Sequence, residues 1–117
     1  MIRRFVMLAL LLAPLPAWAH ARLVSATPAV GASVPAAPPE LVLRFSEALE
    51  LRFSTVTVQD AAGTRVDKGD LHAGPDGAKS LGLGLNALKP GEYTVTWQVL
   101  SVDTHRSEGR FRFQIAP

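Results

Sequence analysis

A period of two runs through most of this chain and constrains its fold more than any other feature. In "EYTVTWQVL", Tyr93, Val95, Trp97 and Val99 fall on one side, with Thr94, Thr96 and Gln98 on the other. Successive side chains of an extended strand point to opposite faces, so this alternation marks a strand with one buried face. The pattern returns in "ELVLRFSE", with Leu41, Leu43 and Phe45 opposed to Glu40, Val42 and Arg44. It returns again in "STVTVQD" (Val56 and Val58) and in "RFRFQI", where Phe111, Phe113 and Ile115 oppose Arg110, Arg112 and Gln114. "KSLGLGL" supplies Leu81, Leu83 and Leu85 with small residues between them. Adding "ARLVSATP" and a weaker strand near Thr64 to Gly69, about seven short strands are expected.

Turn residues separate these runs at Pro28 to Gly31, Pro35 to Pro39, Asp60 to Gly63, Gly74 to Gly77 and Lys89 to Gly91. Short strands at such spacing favour antiparallel sheets packed face to face. No long stretch has the period of an amphipathic helix, and no repeat or low-complexity tract is present. The expected fold is all-β: a Greek-key β-sandwich or barrel of immunoglobulin-like architecture. Trp97, in the longest clean alternation, is expected at the centre of its core.

The front of the chain is different. Arg3 and Arg4 precede an apolar run, Phe5 to Leu12, which Pro14 and Pro16 break before the small-x-small triplet Ala17-Trp18-Ala19. That is the layout of a secretory signal. The apolar run is too short to span a bilayer comfortably, and no later segment comes closer. Residues 1–19 are therefore expected to be a cleaved signal, with an uncleaved anchor as the alternative. Residues 20–117 then make one domain of about a hundred residues.

Removing the signal changes the composition in a useful way. Of the 12 Lys and Arg, Arg3 and Arg4 leave with it, and the remaining ten are matched by 10 Asp and Glu. Binding of nucleic acid or an anionic membrane driven by net charge has no support. There is no cysteine, and both methionines, Met1 and Met7, also leave. The mature domain contains no sulfur, so packing alone must hold it together and any metal site must use nitrogen and oxygen. A soft thiolate or thioether site for a cuprous ion is excluded.

Three histidines remain: His20, His72 and His105. His105 lies in "SVDTHRSEG", directly after the Trp97 strand. If the strand period continues, Asp103 and His105 project to one side about 7 Å apart. They could converge on an ion, or form a pair that only orders a turn. His20 adds weight to the first reading. Cleavage after Ala19 would give it a free α-amine beside its imidazole Nδ1, and the two close a chelate ring on one metal. An α-amine has a pKa near 7.7, low enough for a metal to displace its proton at neutral pH. With His105 these make three nitrogens, the arrangement called a histidine brace, and Asp103 offers an oxygen in or near the fourth position. Such a tetragonal set suits Cu(II), whereas zinc prefers a tetrahedron. The bland alternative for His20 is an exposed terminal residue without a role. An amino-terminal copper–nickel site of the common peptide type is absent, because it needs histidine at the third mature position, where Arg22 stands.

The start "HARLVSATPAVGASV", the strand "LVLRFSEALE" and the block "PGEYTVTWQVLSVDTHRSEGRFRF" resemble the periplasmic copper-resistance protein C (CopC) family. The resemblance covers essentially the whole mature chain. It implies a small periplasmic Greek-key sandwich that binds Cu(II) through His20 (amine and imidazole), Asp103 and His105. It also implies that Glu47, in "FSE", lies near the site as an acceptor that orients the terminal amine or a ligand. An inner-membrane partner of CopD type is implied as well. Some members carry a Met-rich segment for Cu(I), at times with an additional His. Here the corresponding "LHAGPDGAKSLG" has His72 and no Met, which implies a Cu(II)-only member with His72 as a surface loop residue.

The expected function is that of a monomeric, non-enzymatic periplasmic protein that buffers Cu(II) or delivers it to a membrane partner. A copper-dependent redox enzyme of histidine-brace type is the first alternative. Against it, so short a chain leaves little room for a substrate platform, and a carboxylate near the equatorial plane favours the cupric state. A metal-free interaction module is the second. Ser101, Asp103 and His105 are residue types of a hydrolytic triad, but alternate residues of one short segment do not place the His between the other two.

Overall fold

The computed structural model describes residues 20–117, and the signal expected at residues 1–19 lies outside the described residues. Among the described residues eight strands form: β1 (Leu23–Thr27), β2 (Ser33–Val34), β3 (Glu40–Phe45), β4 (Thr55–Gln59), β5 (His72–Gly74), β6 (Gly77–Gly84), β7 (Gly91–Leu100) and β8 (Arg106–Ile115). One 3-10 turn, Leu51–Phe53, lies between β3 and β4. The strands build two sheets, in the orders β1-β3-β6-β5 and β2-β8-β7-β4. Only β5–β6 and β7–β8 are local hairpins; every other pairing joins strands distant in sequence, as the crossovers of a Greek-key sandwich require. The two-residue β2 runs parallel to β8, and the remaining pairs are antiparallel. No described helix is long and apolar enough to cross a membrane.

The alternation read from the sequence sorts residues between core and solvent as expected. Leu41, Leu43 and Phe45 of β3, Val56 and Val58 of β4, and Leu81 and Leu83 of β6 are all buried. Val56 and Val58 share the second sheet with Tyr93, Val95, Trp97 and Val99 of β7 and Phe111, Phe113 and Ile115 of β8, and this buried face packs against that of β3 and β6. Each large apolar side chain so buried contributes about 1.5–3 kcal/mol, the main stabilising term in a domain without disulfides. At one end of the core the Tyr93 ring stacks on Phe113 with centroids 5.5 Å apart. Its hydroxyl donates to the Lys89 carbonyl, the corner found in immunoglobulin-like sandwiches.

Trp97 sits off the centre where it was expected. The innermost large side chains are Phe113, Leu41, Leu43 and Leu83, each below 2% exposed, whereas Trp97 is 8% exposed. An indole is so large that it is rarely enclosed completely. It packs edge-on against Phe45 at 5.2 Å and lies over Gly109, its partner on β8. A Cβ at Gly109 would come within 2.5 Å of the indole, so that position admits only glycine without displacement.

Two further expectations need correction. Thr64 to Gly69 is not a strand; it makes only isolated bridges, Gln59 to Arg65 and Asp67 to Leu85. The Asp67 carboxylate takes the place of a ladder, accepting from Val58 N (2.9 Å), Gly69 N (2.9 Å) and Arg65 Nε (2.9 Å). Burial pushes the Asp67 carboxyl up, but these hydrogen bonds outweigh it and leave the group below its ordinary value. The second correction is that His72 belongs to an edge strand, β5, and not to a loop. This strand is three residues long and hangs on β6 through the turn at Gly74 to Gly77.

Candidate metal centre

The segment leading into β1 from His20, the segment after β3 and the turn between β7 and β8 meet at one end of the sandwich. Leu23 pairs with Phe45 at the end of β3, and Leu49 bridges to Ser101 just beyond β7. The strand period does not continue through Asp103 and His105. β7 ends at Leu100, and the next residues close a turn in which Thr104 N donates to Ser101 O and Ser101 N to His105 O, both at 2.9 Å. Thr104 has φ of 73°, the one positive value for a non-glycine among the described residues. A β-branched residue there is strained by about 1–3 kcal/mol.

This turn, not the rise of a strand, brings the two expected ligands together. His105 Nδ1 lies 3.2 Å from Asp103 Oδ1, with the two side chains 38% and 39% exposed. The Ser101 hydroxyl donates to the same carboxylate oxygen. That hydroxyl, and after it the His105 ring and peptide N–H, holds the Asp103 carboxyl below its ordinary value.

His20 reaches the same place from the other side. Ala21 is 2% exposed, which fixes the chain one residue beyond it. The Ser107 hydroxyl donates to Ala21 O at 2.8 Å. Arg22 and Ser46 exchange two bonds, Arg22 N to Ser46 Oγ and Ser46 N to Arg22 O, each 2.9 Å. Held this way, the exposed His20 ring meets the His105 ring edge to face, with centroids 5.4 Å apart and planes at 89°. The expected pair His20 and His105 is thus assembled, and Asp103 is joined to His105.

The remaining expected residues are placed differently. Glu47 is half-buried in the segment between β3 and the 3-10 turn, next to Ser46 on one side and to Ala48 on the other. Ala48 O accepts from Val102 N at 3.0 Å. The backbone around Glu47 is therefore bonded to both halves of the site. Among the described residues, however, no hydrogen bond or ion pair joins its carboxylate to His20 or Asp103. His72 lies in another cluster, on the outer face of the first sheet. Its Nδ1 is 2.7 Å from Asp70 O and its Nε2 meets the Glu40 carboxylate. Chiefly the Asp70 carbonyl, and then Glu40, raise the His72 pKa above its ordinary value. Two acceptors facing both ring nitrogens favour the doubly protonated ring, which has no lone pair for a metal.

Among the described residues no group of three His, Asp or Glu side chains stands ready to hold a metal ion. The N3O set expected from the sequence depends on an amine, and in the full chain the His20 nitrogen is a peptide nitrogen bonded to Ala19. Sequence reading passed over two serines that shape this end, Ser46 and Ser107, and weighed a third, Ser101, only as a member of a hydrolytic triad. Ser101 left a trace, because it continues the inward parity of Tyr93, Val95, Trp97 and Val99 with a polar residue, and it is 1% exposed. Ser46 and Ser107 left none, since their partners lie far off in the chain.

Comparison with known proteins places this architecture. A CopC domain model matches residues 23–116. Protein YobA of Escherichia coli K12 is 37% identical over 99 residues, covering 84% of this chain and 80% of that protein. Copper resistance protein C of Pseudomonas syringae pv. tomato is 34% identical over 105 residues, covering 85% and 82%. The crystal structure of CopC from Methylosinus trichosporium OB3b superposes with a TM-score of 0.77 at 34% identity, over 84% of this chain and 95% of that one. PcoC, a methionine-rich copper resistance protein from Escherichia coli, gives 0.73 at 31%, over 83% and 99%.

Proposed function

Because the chain belongs to the CopC domain family, we propose that it is a periplasmic protein that binds Cu(II) and buffers it or delivers it, without catalysis. The observation that supports this most is the meeting of the His20 and His105 rings beside Asp103, at the point where cleavage after Ala19 would create an α-amine. The amine, the His20 imidazole and the His105 imidazole supply three nitrogens. With His105 Nδ1 turned to Asp103, Nε2 is the His105 nitrogen offered to copper. Asp103 supplies the oxygen, and its depressed pKa keeps it ionised into the acid range. Three nitrogens and a carboxylate suit a tetragonal cupric ion. Residues 20–117 contain no methionine or cysteine, which favours Cu(II) over Cu(I) as cargo.

Delivery to an inner-membrane copper protein of CopD type, with this protein acting as a monomer, completes the reading. Leu51 and Phe53, in a turn with no buried residue, and Val102 in the site turn are exposed on neighbouring segments and suit contact with such a partner. Copper binds the deprotonated amine and imidazoles, so its affinity rises from acid pH and levels off above their free pKa values. Binding also ties the amino terminus to the Asp103 turn, which stabilises the fold by mass action. Calorimetry on residues 20–117 is expected to show proton release on copper binding and a higher melting temperature for the loaded protein. Neither effect at saturating Cu(II) would reject the reading.

A further inference from the structure

Resting on the copper reading above, we infer that Ser101 and Ser107 are positioning residues that hold the two halves of the site in place before copper arrives. Ser101 organises the Asp103 and His105 half. Its hydroxyl is buried under the turn, donates to Asp103 Oδ1 and accepts from His105 N at 3.3 Å, with His105 O also near at 3.1 Å. A hydroxyl has one proton to donate, and the ionised carboxylate is the stronger acceptor. One buried side chain thus sets the carboxylate and the peptide of the neighbouring histidine together. The turn it spans includes Thr104 at φ of 73°, a conformation that persists only where its surroundings enforce it.

Ser107 organises the His20 half. It lies on β8 two residues after His105, and its half-buried hydroxyl bonds the Ala21 carbonyl at 2.8 Å. The strand that follows His105 is thereby bonded to the residue that follows His20. Chain ends usually fray unless tied down. The end that cleavage would create is tied one residue from its nitrogen, by the Ser107 bond and by burial of Ala21. A preformed site gives affinity because the metal does not have to order its own ligands. Removing an outer partner of this kind costs about 10–100-fold in metal affinity.

The test uses protein beginning at His20, with Cu(II) titrated against a chromophoric chelator and the loaded protein examined by electron paramagnetic resonance. Ser101→Ala and Ser107→Ala are each expected to lower affinity by about 10–100-fold. Ser101→Ala should also change the copper hyperfine pattern, because the carboxylate is released. Ser107→Thr keeps the hydroxyl and is expected to restore the affinity that Ser107→Ala loses. Wild-type affinity and spectrum in both alanine variants would overturn the inference, provided the parent protein binds copper through nitrogen. A parent protein without nitrogen-coordinated copper defeats the proposed function instead, so the two failures are distinct. Should Ser101→Ala lose its cooperative melting transition, the Ser107→Ala and Ser107→Thr pair decides. Equal affinity in that pair overturns the inference.

Discussion

His72 and Glu40 meet across the outer face of β6, and His105 and Asp103 meet inside a tight turn. Their side chains are similarly exposed, at 48% and 38% for the first pair and 38% and 39% for the second. Composition alone would score the two pairs alike. They differ in what surrounds the ring. His72 lies over Gly82, where a Cβ would collide with both it and Glu40, and both of its nitrogens face acceptors. That ring is set to hold protons and to clip β5 to β3 across the strand between them. His105 turns Nδ1 to its carboxylate and meets a second histidine edge to face. Metal chemistry depends on which nitrogen lone pairs a fold leaves to a ligand, and the count of histidines does not report that.

The sharpest way to break this comparison is to remove each histidine in turn from protein beginning at His20. His105→Ala should weaken Cu(II) binding by more than the about 100-fold that an outer partner is worth, since a ligand is lost. His72→Ala should leave Cu(II) affinity unchanged. Equal weakening by both would erase the distinction between the pairs.

Carboxylates sharpen it next. Asp67 has no exposed side-chain surface and satisfies two peptide N–H groups, whereas Asp103 is exposed at the site. Asp67→Ala strands the Val58 and Gly69 donors and should lower the unfolding free energy by about 2–3 kcal/mol in urea titration. Asp103→Ala should leave the urea midpoint of the copper-free protein near that of the parent while weakening copper binding. A large stability loss for Asp103→Ala with intact copper binding would reverse the assignment.

The smallest expected effect is in the pH dependence of the copper-free fold. The His72 pKa is raised in the folded state, so its contribution is complete below the unfolded value near 6.5 and is lost as pH rises through the folded value. The melting temperature should fall slightly across that window, and His72→Gln should flatten the slope. Asp67 works in the opposite sense: its depressed pKa gives stability present above the usual carboxylate value and lost as pH falls through the folded one. A melting temperature that rises between mildly acid and mildly alkaline pH would contradict the His72 assignment.

Much of this was legible in the chain, for a physical reason. β3, β4, β7 and β8 each bury one face, so their alternation writes the inner side of both sheets into the sequence. β2 and β5 are two and three residues long, too short to show a period, and are made by pairing with β8 and β6. Thr64 to Gly69 was expected as a weaker strand, but it makes only isolated bridges, and the Asp67 side chain supplies bonds that a neighbouring strand would have made. At the site, His20, Asp103 and His105 were visible as residue types with a plausible spacing. Their convergence was expected from the brace and the resemblance, but the means of it were not, because it rests on a turn with a strained threonine and on hydrogen bonds from Ser101 and Ser107. Trp97 was read correctly as core and misplaced within it, since alternation gives the face of a strand and not the depth along it.

Cleavage after Ala19 is proposed to create a ligand. Its most direct test is electron paramagnetic resonance of Cu(II) bound to two proteins, one beginning at His20 and one with a single residue added ahead of it. The first should show copper coordinated by nitrogen from the amine and both imidazoles. The second should bind markedly more weakly and give a changed spectrum, because its His20 nitrogen is again a peptide nitrogen. Identical affinity and identical spectra for the two proteins would contradict the account.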